Sequence, residues 1–207
     1  MEQHDPFRVG LLGANPERGW GATAHVPAIA ASPDFVLTAV GTTRPDSAEA
    51  ARQRFGARHA FTDAHALAAH PEVDLVVVSV KVPAHVELVT AALDARKHVY
   101  CEWPLTQTAA EADALAAAAD RAGVHAVVGL QARFSPAVQA AREAIGRLGT
   151  ARSATVFSSR GKGGAREVPA WTAYTYDSAN GAGMVEVSGG HVLDLVEHLL
   201  GPIRAIG

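Results

Sequence analysis

Through residues 7–130 the chain alternates short, nearly unbroken apolar runs with longer helix-forming runs. This alternation constrains the fold more than any other feature. The apolar runs are Phe7–Leu12, Phe35–Val40, Leu75–Val80, His98–Cys101 and Val124–Gly129, each rich in β-branched residues. A half-exposed strand alternates apolar with polar residues, whereas a parallel strand covered by helices on both faces is apolar almost throughout. Helix signals fall between the runs. Pro45 suits a first helical position, Asp63 caps a short helix to His70, and Pro83 opens another to Ala95. Thr108 and Glu111 form a capping-box pattern, and Gly123 closes the helix that follows. The pattern predicts an α/β fold, a Rossmann-type doubly wound parallel sheet.

The pattern changes near Gln131. Ser135-Pro136 begins a helix to about Ile145, and Thr150–Ser159 alternates like a half-exposed strand. Arg160–Gly183 is Gly- and Tyr-rich and reads as a long loop. Val187–Leu200 is helical, and Ile203–Ile206 begins another strand. The expected organisation is an α/β domain over 7–130, followed at 131–207 by an incomplete α+β domain. Two strands and two helices cannot close a covered sheet, so this second unit is expected to be a truncated N-terminal portion.

Composition narrows the function. Apolar residues make up 48% of the 207, enough for a core. The formal charge of −3 argues against direct nucleic-acid binding. A single cysteine, Cys101, excludes an internal disulfide and suits a reducing, cytoplasmic setting. No apolar run approaches the roughly 18 residues of a membrane span. The ten histidines lack ligand spacing, and no metal site is expected.

Strand 1 runs into Gly13-Ala-Asn-Pro-Glu-Arg-Gly-Trp20-Gly21, a glycine loop before a helix near His25–Ala31. Dinucleotide phosphates sit on such loops, held by backbone N–H groups and the helix dipole. Asn15 stands where the GxGxxG spacing wants its second glycine, so an ordinary glycine turn is the competing reading. Strand 2 ends in Thr42-Thr43-Arg44, without the acid that accepts from an NAD ribose. A guanidinium matches a 2′-phosphate, so NADP(H) is favoured over NAD(H); the plain alternative is a solvated arginine.

A more specific likeness begins at Ala91-Ala-Leu-Asp-Ala-Arg-Lys-His98-Val-Tyr-Cys-Glu102-Trp103-Pro104-Leu105. This resembles the ALxxGKHVxxEKP segment of the Gfo/Idh/MocA oxidoreductases. Gln131-Ala-Arg133-Phe-Ser-Pro136 resembles that family's entry to its second domain. Gly189-Gly-His191-Val-Leu-Asp194 resembles its Gly-x-His-x-x-Asp helix. Gly19-Trp20 and Tyr174-Thr-Tyr176-Asp177 are similar to a branch of galactose-regulon repressors that sense a nicotinamide nucleotide. The resemblance implies an NAD(P)-binding domain, hydride transfer to or from sugar-like or cyclitol ligands, a full-length homo-oligomer and, for a repressor, a protein partner. It also implies a cis Trp103–Pro104 peptide.

The resemblance assigns the site as follows. Gly13, Asn15, Trp20, Gly21, Thr42, Thr43, Arg44, Lys81, His85, Glu102, Trp103 and Gln131 are cofactor contacts. Arg133, Tyr176 and Asp194 are ligand contacts, and His191 is the acid/base. Each has a plain alternative: a solvated Lys81, a core-packing Trp103, a hydrogen-bonded interior His191. Two positions depart from the enzymes. Trp103 stands where they carry the lysine of Glu-Lys-Pro, and Val187 where they carry an aspartate four residues before the histidine. An indole neither moves the hydroxyl proton nor stabilises an alkoxide as a cation does. Two readings therefore stand: an oxidoreductase with an atypical catalytic motif, or a non-catalytic nucleotide-sensing regulator acting through a protein partner.

Overall fold

The parallel runs do pair. In the computed structural model, which describes residues 5–158 and 167–205, six strands form one sheet. They are β1 (Phe7–Leu12), β2 (Phe35–Gly41), β3 (His59–Phe61), β4 (Leu75–Val78), β5 (His98–Glu102) and β6 (Ala126–Gly129). Every pairing is parallel and the spatial order is β3-β2-β1-β4-β5-β6. The order reverses between β1 and β4, which makes the crevice beyond their carboxyl ends the topological switch point.

Helices cover both faces of this sheet: α1 (Val26–Ala31), α2 (Pro45–Phe55), α3 (Ala64–Ala69), α4 (His85–Asp94) and α5 (Ala109–Ala122). Neighbouring strand residues therefore bury into opposite cores. Val9, Leu11, Val40 and Val77 pack on one side, and Leu12, Val76, Val78, Val99 and Leu67 on the other. Each is at most 5% exposed, and burying such a side chain contributes about 1.5–3 kcal/mol. The continuous apolar character of the runs follows directly.

Local signals were reliable where a side chain could satisfy orphan amides. The Asp63 carboxylate accepts from the His65 and Ala66 amides at the start of α3. Thr108 and Glu111 complete the reciprocal capping box of α5, and Gly123 ends it at φ 68°. The three-residue β3 was missed, because so short a run carries no periodicity. The Trp103–Pro104 peptide is cis.

The contacts divide the chain into two compact units, Met1–Gly129 and Leu130–Gly207. In the second, α6 (Pro136–Leu148) and α7 (Gly190–Leu200) are the long elements. A wide π-type turn, Val185–Gly189, leads into α7, so this helical stretch begins before the expected Val187. The alternating segment after Thr150 is not a strand: residues 151–158 carry no ladder pairing, and Ser159 lies outside the described residues. Alternation becomes a strand only when a neighbour takes up its N–H and C=O groups, and no strand forms among the described residues of this unit. Residues 203–205 are likewise irregular, Ile206 lying outside the description. The expected loop is partly ordered by tight turns at Ala170–Tyr176 and Ser178–Asn180; residues 160–166 are not described. No helix among the described residues is long and apolar enough to cross a membrane.

One polar clasp ties β1 to the turn before β4. The Arg8 guanidinium donates to both carboxylate oxygens of Asp74, at 2.8 and 2.6 Å, and the Arg8 amide adds a bond of 3.0 Å. The guanidinium, above all, holds the Asp74 carboxyl below its ordinary value. A depressed carboxyl stabilises the fold above its unfolded value near 4 and loses that contribution as pH falls through the folded one. Asp74→Asn is expected to lower the unfolding free energy by about 1 kcal/mol at pH 7. In denaturant titrations this difference from the unmodified protein should shrink below about pH 4.

Candidate functional site

The switch point opens into a cavity of about 930 Å³ at the carboxyl ends of β1, β2 and β4. This is within the usual size of a cofactor cleft. Gly13 and Asn15 line it from the glycine loop, Thr42, Thr43 and Arg44 from the end of β2, and Lys81 from the segment after β4.

Gly13 sits at φ 89°, and a Cβ there would lie 2.0 Å from the Ser79 carbonyl oxygen. The loop therefore passes β4 at a distance only backbone allows. The Gly13 and Ala14 amides donate to the Gly41 carbonyl at 3.0 and 3.3 Å, fixing the loop against β2. Asn15 is explained by its own side chain. Its Oδ1 accepts from the Glu17 and Arg18 amides at 2.9 and 3.2 Å, closing an Asx-type turn where other loops use glycine. The chain then enters the helical segment that begins at Trp20, where the Thr23 amide donates to the Gly19 carbonyl at 3.2 Å.

At the β2 end, Thr42 Oγ1 lies 3.0 Å from the Arg44 carbonyl and 2.6 Å from Ser47 Oγ. Arg44 meets Asp46 at 3.2 Å, with both side chains some 70% exposed. Such exposed pairs contribute little, about 0–1 kcal/mol, so the guanidinium is easily redirected to a phosphate. Ser47, Arg18, Asp63 and Glu87 also line the cavity and were missed. Ser47 and Arg18 lay next to residues already singled out; Asp63 and Glu87 had only capping or helical roles to suggest them.

Several expected contacts lie elsewhere. Trp20 is 51% exposed, and Gly21 packs under Gly13. His85 is not among the residues that line the cavity. It is 1% exposed, with Nδ1 2.8 Å from the Pro104 carbonyl and Nε2 3.2 Å from that of Val80. A neutral imidazole donates to only one of these carbonyls, and the buried ring sits between the chain after β4 and that after β5. Glu102 ends β5 with Oε1 2.6 Å from His25 Nε2. His25 was not singled out, since nothing local to its helix announces a partner 77 residues away. Its ring meets Tyr100 edge-on at 5.3 Å. The Tyr100 hydroxyl is pushed up to about 12, first by burial and then by the Glu102 charge. Trp103 is half-buried just beyond β5. Cys101 is 1% exposed and burial raises its thiol well above its ordinary value, so it is inert as expected.

The second unit holds the other residues. Gln131 and Arg133 lie in a short turn, Gln131–Phe134. The Arg133 guanidinium grips Asp194 Oδ1 through Nε at 2.7 Å and through Nη2. Asp194, at 7% exposure, thus holds Arg133 through one carboxylate oxygen. Its Oδ2 and His198 Nε2, both buried, have no hydrogen-bond partner among the described residues. Tyr176 is 68% exposed. His191 lies partly buried in the first turn of α7, and Val187 in the π-type turn before it.

The chain matches, over residues 7–130, the family described as the oxidoreductase family with the NAD-binding Rossmann fold. It is 36% identical to dehydrogenase aclE of Aspergillus oryzae, over 97% of this chain and 56% of that protein. It is 29% identical to the galactose/lactose metabolism regulatory protein GAL80 of Saccharomyces cerevisiae, over 94% of this chain and 47% of that one. A super-repressor mutant of Gal80p from that yeast superposes with a TM-score of 0.78 at 27% identity, covering 93% of this chain and 52% of the other. A levoglucosan dehydrogenase solved with NADH and levoglucosan gives 0.77 at 25% identity, covering 95% and 54%. The chain thus spans about half the length of the relatives it matches.

Gly13→Ala brings a methyl group into the Ser79 carbonyl at a positive φ. We expect a stability loss of at least about 2 kcal/mol. Nucleotide affinity should fall at least about tenfold, because the loop must leave β4. Thermal unfolding and fluorescence titration with a reduced nicotinamide dinucleotide measure the two effects.

Proposed function

This chain belongs to the oxidoreductase family with the NAD-binding Rossmann fold, and from that membership we propose that it binds NADP(H) and serves hydride transfer at a hydroxyl or carbonyl of a sugar-like or cyclitol ligand. The observation that carries the nucleotide assignment is the cavity at the β1/β4 switch point. Thr42, Thr43, Arg44 and Ser47 gather there at its β2 end. When bound, the nicotinamide accepts or supplies the hydride. The chain's own residues do the rest: the Gly13–Gly21 loop seats the pyrophosphate, and Thr43 and Arg44 hold the 2′-phosphate. Redirecting Arg44 from Asp46 gives up at most about 1 kcal/mol, against roughly 1.5–3 kcal/mol for a charge-assisted phosphate contact.

His191 is assigned as the group that takes the hydroxyl proton when hydride leaves, a role its imidazole can fill near neutral pH. Arg133, positioned by Asp194, and Tyr176 are assigned to the ligand. The reading carries a cytoplasmic location, a homo-oligomeric full-length protein, and no direct contact with nucleic acid. A second reading is favoured by two residues. Trp103 and Val187 replace the family's lysine and aspartate, which removes the cation that steadies a developing oxyanion. Under that reading the site senses a nucleotide without turnover and signals through a protein partner, in line with the similarity to a galactose/lactose regulatory protein.

Titration should give NADPH roughly ten- to a hundredfold tighter binding than NADH, and Arg44→Ala should erase that difference. Tighter binding of NADH would overturn the NADP assignment. Turnover is measured separately by NADPH absorbance over a panel of sugars and cyclitols, in the longest natural form of the protein. The expected outcome is slow oxidation or reduction that disappears in His191→Ala. Nucleotide binding with no turnover across the panel transfers the site to the sensing reading.

A further inference from the structure

The nucleotide-binding unit carries a second chemical cluster that the cavity does not use. His59 begins the edge strand β3, His70 follows the last residue of α3, and Glu72 lies in the turn before β4. None of the three lines the nucleotide cavity. His59 Nε2 lies 2.5 Å from Glu72 Oε2, and the two imidazole rings are 4.2 Å apart between centroids. One ligand atom from each residue falls within 4.8 Å of the other two. The sequence hid this because 59, 70 and 72 carry no motif spacing; the β3–α3–β4 crossover brings them together.

We propose that His59, His70 and Glu72 form a binding site for a divalent transition-metal ion, zinc foremost, that ties edge strand β3 to the turn entering β4. Two imidazole nitrogens and one carboxylate oxygen are a recurrent zinc donor set, completed by water at the fourth position. Imidazole donors favour zinc, cobalt, nickel or copper over magnesium and calcium, which take oxygen. The surroundings suit a ligating carboxylate. Arg58 donates to Glu72 Oε1 at 3.2 Å, so Oε2 faces the histidines while the other oxygen keeps an outer partner. The Arg58 charge works against a cation, but its side chain is 65% exposed and solvent screens it. His70 must release a 3.2 Å contact between its Nδ1 and the Glu72 amide, a long and weak bond for an N–H donor. The three residues are only half-buried, so an ion reaches them without unfolding. The ligands come from separate segments, and a metal that binds only the folded form stabilises it.

The test uses protein without a polyhistidine tag, stripped with chelator. Zinc is expected to bind at one ion per chain and to raise the melting temperature by roughly 5 °C at saturation, with no response to magnesium or calcium. Cobalt(II) should give the visible absorption bands of a four-coordinate site. His59→Ala and the near-isosteric Glu72→Gln should each weaken zinc at least about tenfold. NADPH affinity should stay within about twofold in both, since none of the three residues lines the nucleotide cavity. Circular dichroism checks the fold, and Glu72→Gln decides the matter if His59→Ala does not fold. Absence of stoichiometric zinc in the unmodified protein, or zinc and cobalt signals undiminished in Glu72→Gln, would overturn the proposal.

Discussion

The approach of Gly13 to the Ser79 carbonyl is the constraint on which the nucleotide end depends. A Cβ would come to 2.0 Å there, so the first loop can cross beside β4 only without a side chain. That crossing lets the Gly13 and Ala14 amides reach the Gly41 carbonyl. The ends of β1, β2 and β4 are thereby brought to one edge, and the cavity exists because of it. The sheet beneath is held by apolar burial on both faces, which explains why its strands read as unbroken Val, Leu and Ala runs.

Around this edge the polar groups fall into two kinds. Thr42, Ser47, Arg44 and Lys81 line the opening. His85 and the Arg8–Asp74 pair are committed to the scaffold. The distinction is one of burial and partners, not of residue type. The His85 ring is buried between two backbone carbonyls, to one of which it can donate. In the second unit the buried Asp194 carboxylate is likewise held, by the Arg133 guanidinium.

The two departures from the family motif, Trp103 and Val187, bear on the proposed chemistry. Trp103 precedes Pro104 and is half-buried, while Val187 sits in the π-type turn that opens α7. Neither supplies a proton or a charge. Under the proposed function they leave His191 as the remaining acid/base candidate, without a cation to steady an oxyanion.

The sequence by itself determined the parallel sheet, because strands covered on both faces must be apolar at every position. It also determined the helix ends at Asp63, Thr108 and Gly123, where a side chain or a missing one satisfies its own backbone. Gly13, Asn15, Thr42, Thr43, Arg44 and Lys81 could be read because the ends of β1, β2 and β4 meet in any sheet of this order. Only the tertiary structure decided the rest. The pairing of His25 with Glu102, the capture of His85 by two carbonyls, the grip of Arg133 on Asp194 and the meeting of His59, His70 and Glu72 all join residues distant in sequence. No local pattern encodes such contacts. The alternating run after Thr150 failed for the complementary reason: a strand is a property of two segments, and alternation in one does not supply the other.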